Sequence, residues 1–118
     1  MGAYYPIFMG PPPHTAIASA TITGGNVVEV SATGTVGPAA AASVKVVGVA
    51  GFDVAANAEV VVFRGGVQEL VATGTVTAGE QVEAAAAGTV RTLAAGRAIG
   101  VALTTATTGL KVQVAFNA

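Results

Sequence analysis

Apolar and polar residues alternate along much of this chain. Val28 and Val30 alternate with Glu29 and Ser31, and Val82 and Ala84 with Gln81 and Glu83. Val112, Val114 and Phe116 alternate with Lys111, Gln113 and Asn117, the cleanest such run. A period of two sends successive side chains to opposite faces, so each run predicts a half-buried strand. Residues 99–103 are a continuous apolar run and residues 44–50 one broken only by Lys45, and both predict buried strands. Residues 60–63 and 67–71 flank Gly65-Gly66, the spacing of a two-residue hairpin. No stretch of twelve or more residues carries a helical stripe. Residues 39–42 are four alanines that could make one helical turn, but Gly37-Pro38 just before them marks a loop.

The chain also repeats. Residues 29–36 and 69–76 match at six of eight positions with an offset of 40, and Ala87-Gly88-Thr89-Val90 is a third, shorter copy. Gly34-Thr35-Val36 precedes Gly48-Val49-Ala50 by 14 positions, and Gly88-Thr89-Val90 precedes Gly100-Val101-Ala102 by 12. A Val-rich strand ending in Phe63 or Phe116 follows each Gly-Val-Ala. Thr and Val suit pleated strands and Gly the turns between them. The two halves therefore read as related sheets, the second with an inserted hairpin near residues 77–87. The expected fold is all-β, a small β-barrel or sandwich of about eight or nine short strands.

Residues 1–22 depart from this pattern. They hold both tyrosines, both methionines, four of the five prolines and the only histidine, His14. Pro11-Pro12-Pro13 has no backbone donor and favours an extended path. This stretch is expected to be an extended arm outside a compact β-domain spanning residues 23–118. Tyr-Tyr-Pro-Ile-Phe-Met is too apolar for a solvated tail, so the arm is expected to dock on a partner.

Composition narrows the class. The 118 residues are 53 % hydrophobic and only 9 % charged, where soluble domains carry about 25 % charged residues. So few charges leave copies little to keep them apart, and part of the surface is expected to be covered. If copies associate, apolar burial has to drive it, and salt should matter little. The five basic residues, Lys45, Arg64, Arg91, Arg97 and Lys111, are scattered, which argues against a nucleic-acid partner. The most apolar stretch, residues 93–103, is too short to span a membrane and contains Arg97. The first residues lack a basic segment and are broken by prolines, unlike a secretory signal, so synthesis in a host cytoplasm is expected. Cysteine is absent, which removes disulfide and thiolate chemistry.

One ordered set of segments carries a resemblance. Gly-Thr-Val is followed by Lys45-Val46-Val47-Gly48-Val49-Ala50, a Val strand and Gly-Gly-Val-Gln-Glu-Leu. Ala78-Gly79-Glu80-Gln81-Val82, Ala87-Gly88-Thr89-Val90, Ile99-Gly100-Val101-Ala102-Leu103 and Lys111-Val112-Gln113-Val114 then follow in order. Over roughly residues 24–117 this resembles the small capsid decoration, or cement, proteins of tailed bacteriophages. The resemblance implies a compact β-fold on the outer surface of the virion, typically a homotrimer, that clamps major capsid protein subunits and strengthens the shell. It also implies an arm that reaches those subunits, here through Tyr4, Tyr5, Pro6, Ile7, Phe8, Pro11, Pro12 and Pro13.

Enzyme chemistry is not expected. His14 follows three prolines with no acid or nucleophile nearby in sequence, and reads as a packing or surface residue. With one His and no Cys, only Asp53, Glu59, Glu80 and Glu83 remain as metal-ligand candidates; Glu80 and Glu83 read better as solvated charges at a strand end. Gly65-Gly66 lacks the pattern of a phosphate loop. No base is evident to activate a threonine. No cofactor is expected. Two other readings compete: a virion module that binds a receptor or carbohydrate, and a self-assembling β-protein without a capsid. For sugar stacking the β-domain offers only Phe52, Phe63 and Phe116, the last two in strands that read as core.

Overall fold

The computed structural model describes residues 14–117. The fold is all-β, as the alternation predicts, with ten strands among the described residues. They are β1 (His14–Ala18), β2 (Val27–Ala32), β3 (Thr35–Pro38), β4 (Val46–Ala50), β5 (Glu59–Phe63), β6 (Val67–Val71), β7 (Gln81–Ala84), β8 (Val90–Thr92), β9 (Gly100–Ala102) and β10 (Lys111–Phe116). One 3-10 turn, Ala86–Gly88, joins β7 to β8.

The first five strands close a barrel in the order β1-β3-β2-β4-β5, and the last five form a sheet in the order β6-β10-β9-β7-β8. These are the same path run twice. In the first unit β1 pairs parallel with β3, placing Ala18 beside Val36. In the second, Ala72 at the end of β6 bridges Val90 of β8, again in parallel. Residue 18 thus corresponds to 72 and residue 36 to 90, an offset of 54. From β4 onward the offset is 52, since Val28 pairs with Gly48 and Val82 with Gly100.

Loop hydrogen bonds repeat in the same register. Ala18 N donates to Ala58 O at 2.9 Å, and Ala72 N to Leu110 O at 2.9 Å. Gly25 N donates to Ala50 O at 2.8 Å, and Gly79 N to Ala102 O at 2.7 Å. Gly24 N donates to Asp53 Oδ1 at 2.7 Å, and Ala78 N to Thr105 Oγ1 at 3.0 Å, so a carboxylate and a hydroxyl fill one role.

The cores repeat too. Ala18, Ile22, Val28, Val36, Ala50, Val54, Val60 and Val62 fill the first barrel. Their eight counterparts, Ala72, Val76, Val82, Val90, Ala102, Ala106, Val112 and Val114, are all buried in the second core. That core extends to the outside of the first unit, taking in Val27, Ala39, Val46 and Val49. Apolar burial across this seam makes the two units one packed body.

Several sequence expectations change. The related halves stand, but their register is 54 and 52 residues, so the 40-residue match of 29–36 with 69–76 has no structural meaning. The counterpart of 29–36 is 83–90, reached through the third copy, Gly88-Thr89-Val90. Residues 77–87 are not an inserted hairpin; they contain β7, the counterpart of β2. Gly65-Gly66 is not a hairpin turn. β5 is already bonded to β1 and β4, and β6 bonds to β10, so the diglycine links the two units. Gly37-Pro38 lies within β3, where Pro38 pairs with Val28. Residues 14–22, placed in the arm from sequence, belong to the first barrel.

The duplication supplies an internal control on turn strain. Gly34 (φ +72°) and Gly88 (φ +78°) occupy the same left-handed turn position. A Cβ on Gly34 would meet nothing within 4 Å, whereas one on Gly88 would lie 2.8 Å from both Asn26 Cβ and Val27 O. Gly34→Ala is expected to cost about 1 kcal/mol of backbone strain. Gly88→Ala should cost about 3 kcal/mol, because overlap adds to the strain. Urea denaturation of the two variants checks the difference; equal costs would mean that the seam gives way freely.

Candidate binding surface

The arm residues Tyr4, Tyr5, Pro6, Ile7, Phe8, Pro11, Pro12 and Pro13 lie outside the described residues. The described chain begins where that arm would leave, at the open end of the first barrel. His14 starts β1, its backbone paired with Val62. The next residues, Thr15 and Ala16, line a hollow of about 370 Å³ together with Val30, Ala32, Gly34, Thr35, Val36, Val47 and Arg64. The hollow lies where β2 ends and β4 begins, lined there by the small side chains of Val30, Ala32 and Val47. Val30 stays 41 % exposed there, and Arg64 adds a cation.

Exposed apolar side chains recur over the outer faces. β10 carries Ala115 between Val67 of β6 and Val101 of β9, so three apolar residues form one row across the sheet. Val67 and Val101 are exposed, as are Leu103, Leu110 and Val44. Of the aromatics, Phe116 is buried as expected from its strand, but Phe63 is exposed. It pairs with Val49 at the outside of the first barrel, where its ring lies over Gly51. Phe52, one residue further, is exposed as well.

Three of the four carboxylates named as metal candidates hold loops. Among the described residues no three His, Cys, Asp or Glu side chains come together. Asp53 accepts from Gly24 N, and Glu80 Oε1 accepts from Thr77 N at 2.8 Å and Thr92 Oγ1 at 3.1 Å. Glu59 opens β5 and is exposed.

Glu83 is not the solvated strand-end charge expected from sequence. Its side chain is fully buried and accepts from Arg91 Nε at 2.6 Å, Ala94 N at 3.2 Å and Gly96 N at 2.5 Å. Burial alone would push this carboxyl up; the Gly96 amide, the Arg91 guanidinium and the Ala94 amide outweigh it and hold the group below the ordinary glutamate value. Glu29, its counterpart in the first unit, accepts from Ala40 N, the counterpart of Ala94, at 3.1 Å. Its carboxyl is also lowered: the penalty of burial is outweighed by the Ser43 hydroxyl, the Ala40 amide and the Lys45 charge. One glutamate per unit thus pins the same loop. With Arg91 on Glu83 and Arg97 Nη1 donating to Val46 O at 3.1 Å, two of the five cations work inside the fold. The surface offers shape and apolar area more than charge.

No protein-family model matches the chain, and no curated protein matches it in sequence. Among solved structures it is similar to the N base of head fiber gp8.5 in bacteriophage phi29, with a TM-score of 0.73 and 17 % identity over 90 % of this chain and 93 % of that one. At that identity the likeness is one of fold, a fold that phage uses in its head fiber.

Proposed function

We propose that this chain is a structural protein of a phage virion that decorates the outer surface of the capsid, bridges major capsid subunits and does so as a homotrimer. The observation that carries the reading is the fold shared with a head-fiber base over nine-tenths of the chain. The surface supports it. Small side chains and exposed apolar rows allow broad, flat contacts, each weak, which a multivalent assembly multiplies into tight occupancy. Nucleic acid and membrane are not the partners in this reading, and no catalysis is invoked.

The test is co-sedimentation of the purified protein with cognate heads that lack it. Saturable pelleting in multiples of three per capsid site is expected. A chain starting at residue 14, which keeps every described strand, should bind heads at least about 10-fold more weakly, because the apolar arm contact is lost. Full binding by that chain would remove the arm from the mechanism; no pelleting of the full chain on unexpanded or expanded heads would reject decoration altogether.

The exposure of Phe52 and Phe63 favours a second reading, a virion module that binds carbohydrate through aromatic stacking. Binding of a glycan array by the protein, lost in Phe52→Ala, would establish it.

A further inference from the structure

We propose that the open end of the first barrel is the docking site for the outer face of the second unit of another copy, so that copies join head to tail. This deepens the self-association part of the reading above and does not depend on the capsid.

The comparison of the two units within one chain carries the argument. In the second unit the same barrel end is closed. Leu70, Ala84, Ile99 and Phe116 fill it, none more than 5 % exposed. They share one core with Val27, Ala39, Val46 and Val49, which lie on the outside of the first unit. The rim is bonded as well: Gly88 N donates to Ala39 O at 3.0 Å, Ala42 N to Ala84 O at 2.9 Å, and Asn26 Nδ2 to Ala87 O at 3.1 Å. Each chain therefore already contains one joint, in which the face of one unit covers the end of the next.

Among the described residues, nothing covers the same end of the first unit. The counterparts of Leu70, Ala84, Ile99 and Phe116 are Ala16, Val30, Val47 and Arg64, which line the open hollow of about 370 Å³. The second unit has the matching face, half-buried at Leu93 and Ala98 and, among the described residues, uncovered at Gln81 and Val101. The counterparts of Val27, Ala39, Val46 and Val49 are Gln81, Leu93, Ala98 and Val101, with Val101 37 % exposed and Gln81 open to solvent. The described residues thus present one uncovered socket and one uncovered face, the two halves of the joint the chain makes internally.

The sizes agree. In the socket Leu70 becomes Ala16 and Ile99 becomes Val47, against a smaller gain from Ala84 to Val30, and Arg64 stands in place of Phe116. On the face Ala39 becomes Leu93 and Val27 becomes Gln81, against a loss from Val46 to Ala98, a net gain in bulk. Apolar area on both sides supplies the drive. Such a contact uses different patches on the two partners, so it is heterologous, and a heterologous contact makes a closed ring when its rotation closes.

The experiment uses this asymmetry. Val30→Asp blocks the socket and Val101→Asp blocks the face; both side chains are exposed in the single chain, so unchanged circular-dichroism melting should confirm folding. Each variant alone should be monomeric by sedimentation equilibrium, its self-association weakened about 100-fold or more by a buried unpaired carboxylate. Mixed, the two should form a 1:1 heterodimer, because one intact socket and one intact face remain. Ala32→Asp, at the rim, should replace Val30→Asp in the mixture if the latter does not fold.

A mixture that stays monomeric, variants that keep the wild-type mass, or a wild-type chain that is monomeric throughout would each overturn the proposal. Loss of association on removing residues 1–13, with Val30→Asp silent, would overturn it in favour of the arm. A monomer that still pellets with heads would sink the head-to-tail contact alone. A heterodimer without pelleting of the wild type would sink the capsid reading alone.

Discussion

Removing residues 1–22 is expected to destroy cooperative folding of the first unit, whereas removing residues 1–13 should leave it intact. The difference is β1. Its backbone pairs with Val62, Val61, Val60 and Glu59 of β5 on one side and with Thr35 and Val36 of β3 on the other, so it closes the barrel. Without it two strands gain free edges, exposed to water and to other chains. Ala18 and Ile22, both within 1 % of full burial, leave the core with it. Ile22 alone accounts for about 2–3 kcal/mol of burial, and each lost strand hydrogen bond for about 1 kcal/mol. Several such bonds together reach the 5–15 kcal/mol that is the whole stability of a typical domain. Thermal melting followed by circular dichroism decides it. The chain starting at 14 should melt within a few degrees of the full chain, and the chain starting at 23 should show a broad or absent transition. An unchanged melt for the shorter chain would mean that β3 and β5 can close the barrel by themselves.

That strand also shows where the sequence was hard to read. β10 was legible because its inner residues, Val112, Val114 and Phe116, are large and its outer ones, Lys111 and Gln113, are polar. β1 carries the reverse: Ala18 packs inside the barrel and Ala16 lines the hollow at its open end, while Ile17 is outside and 37 % exposed. With small residues inside and the larger one outside, hydrophobic size does not mark the inner face of this strand. Gly65-Gly66 misled for a different reason. Its two positive φ angles, +61° and +67°, do meet the local demand of a tight turn, but pairing is settled by which strand edges are free, a property of the whole sheet. The repeat was visible but misaligned. Ala-Thr-Gly-Thr-Val recurs by composition at 40 residues, while the true register is carried by the sparse matches Thr23/Thr77, Gly25/Gly79, Val28/Val82 and Glu29/Glu83. The open socket could not be found without that register, since it is defined by what the second unit has and the first lacks.

Replacing Glu83 is expected to loosen the seam between the units, most of all above the range in which glutamate ordinarily protonates. Glu83 pairs across the sheet with Arg91 and collects three donors, all from residues 91–96. The loop it pins reaches the first unit: a Cβ on Gly96 would lie 2.7 Å from Ala42 Cα, and Arg97 donates to Val46 O. Glu83→Ala strands the Arg91 guanidinium and two amides, a cost of about 3 kcal/mol or more. Glu83→Gln keeps one acceptor oxygen but turns an amide toward Arg91, and should cost about 2 kcal/mol at pH 7. The sign with pH follows from the lowered carboxyl. A group more acidic folded than unfolded stabilises the fold above its unfolded value, near 4.5, and that contribution fades as pH drops toward the folded value. The stability gap between the natural chain and Glu83→Gln should therefore be widest at pH 6–7 and narrow steadily on acidification below about 4.5. Glu29→Gln should open a smaller gap, because Glu29 is only partly buried and pins the loop through the Ala40 amide without an arginine. Urea midpoints of the three chains across that pH range would show it. A gap for Glu83→Gln that stays constant with pH would mean that the carboxylate's charge does not hold the loop, and that its shape alone does.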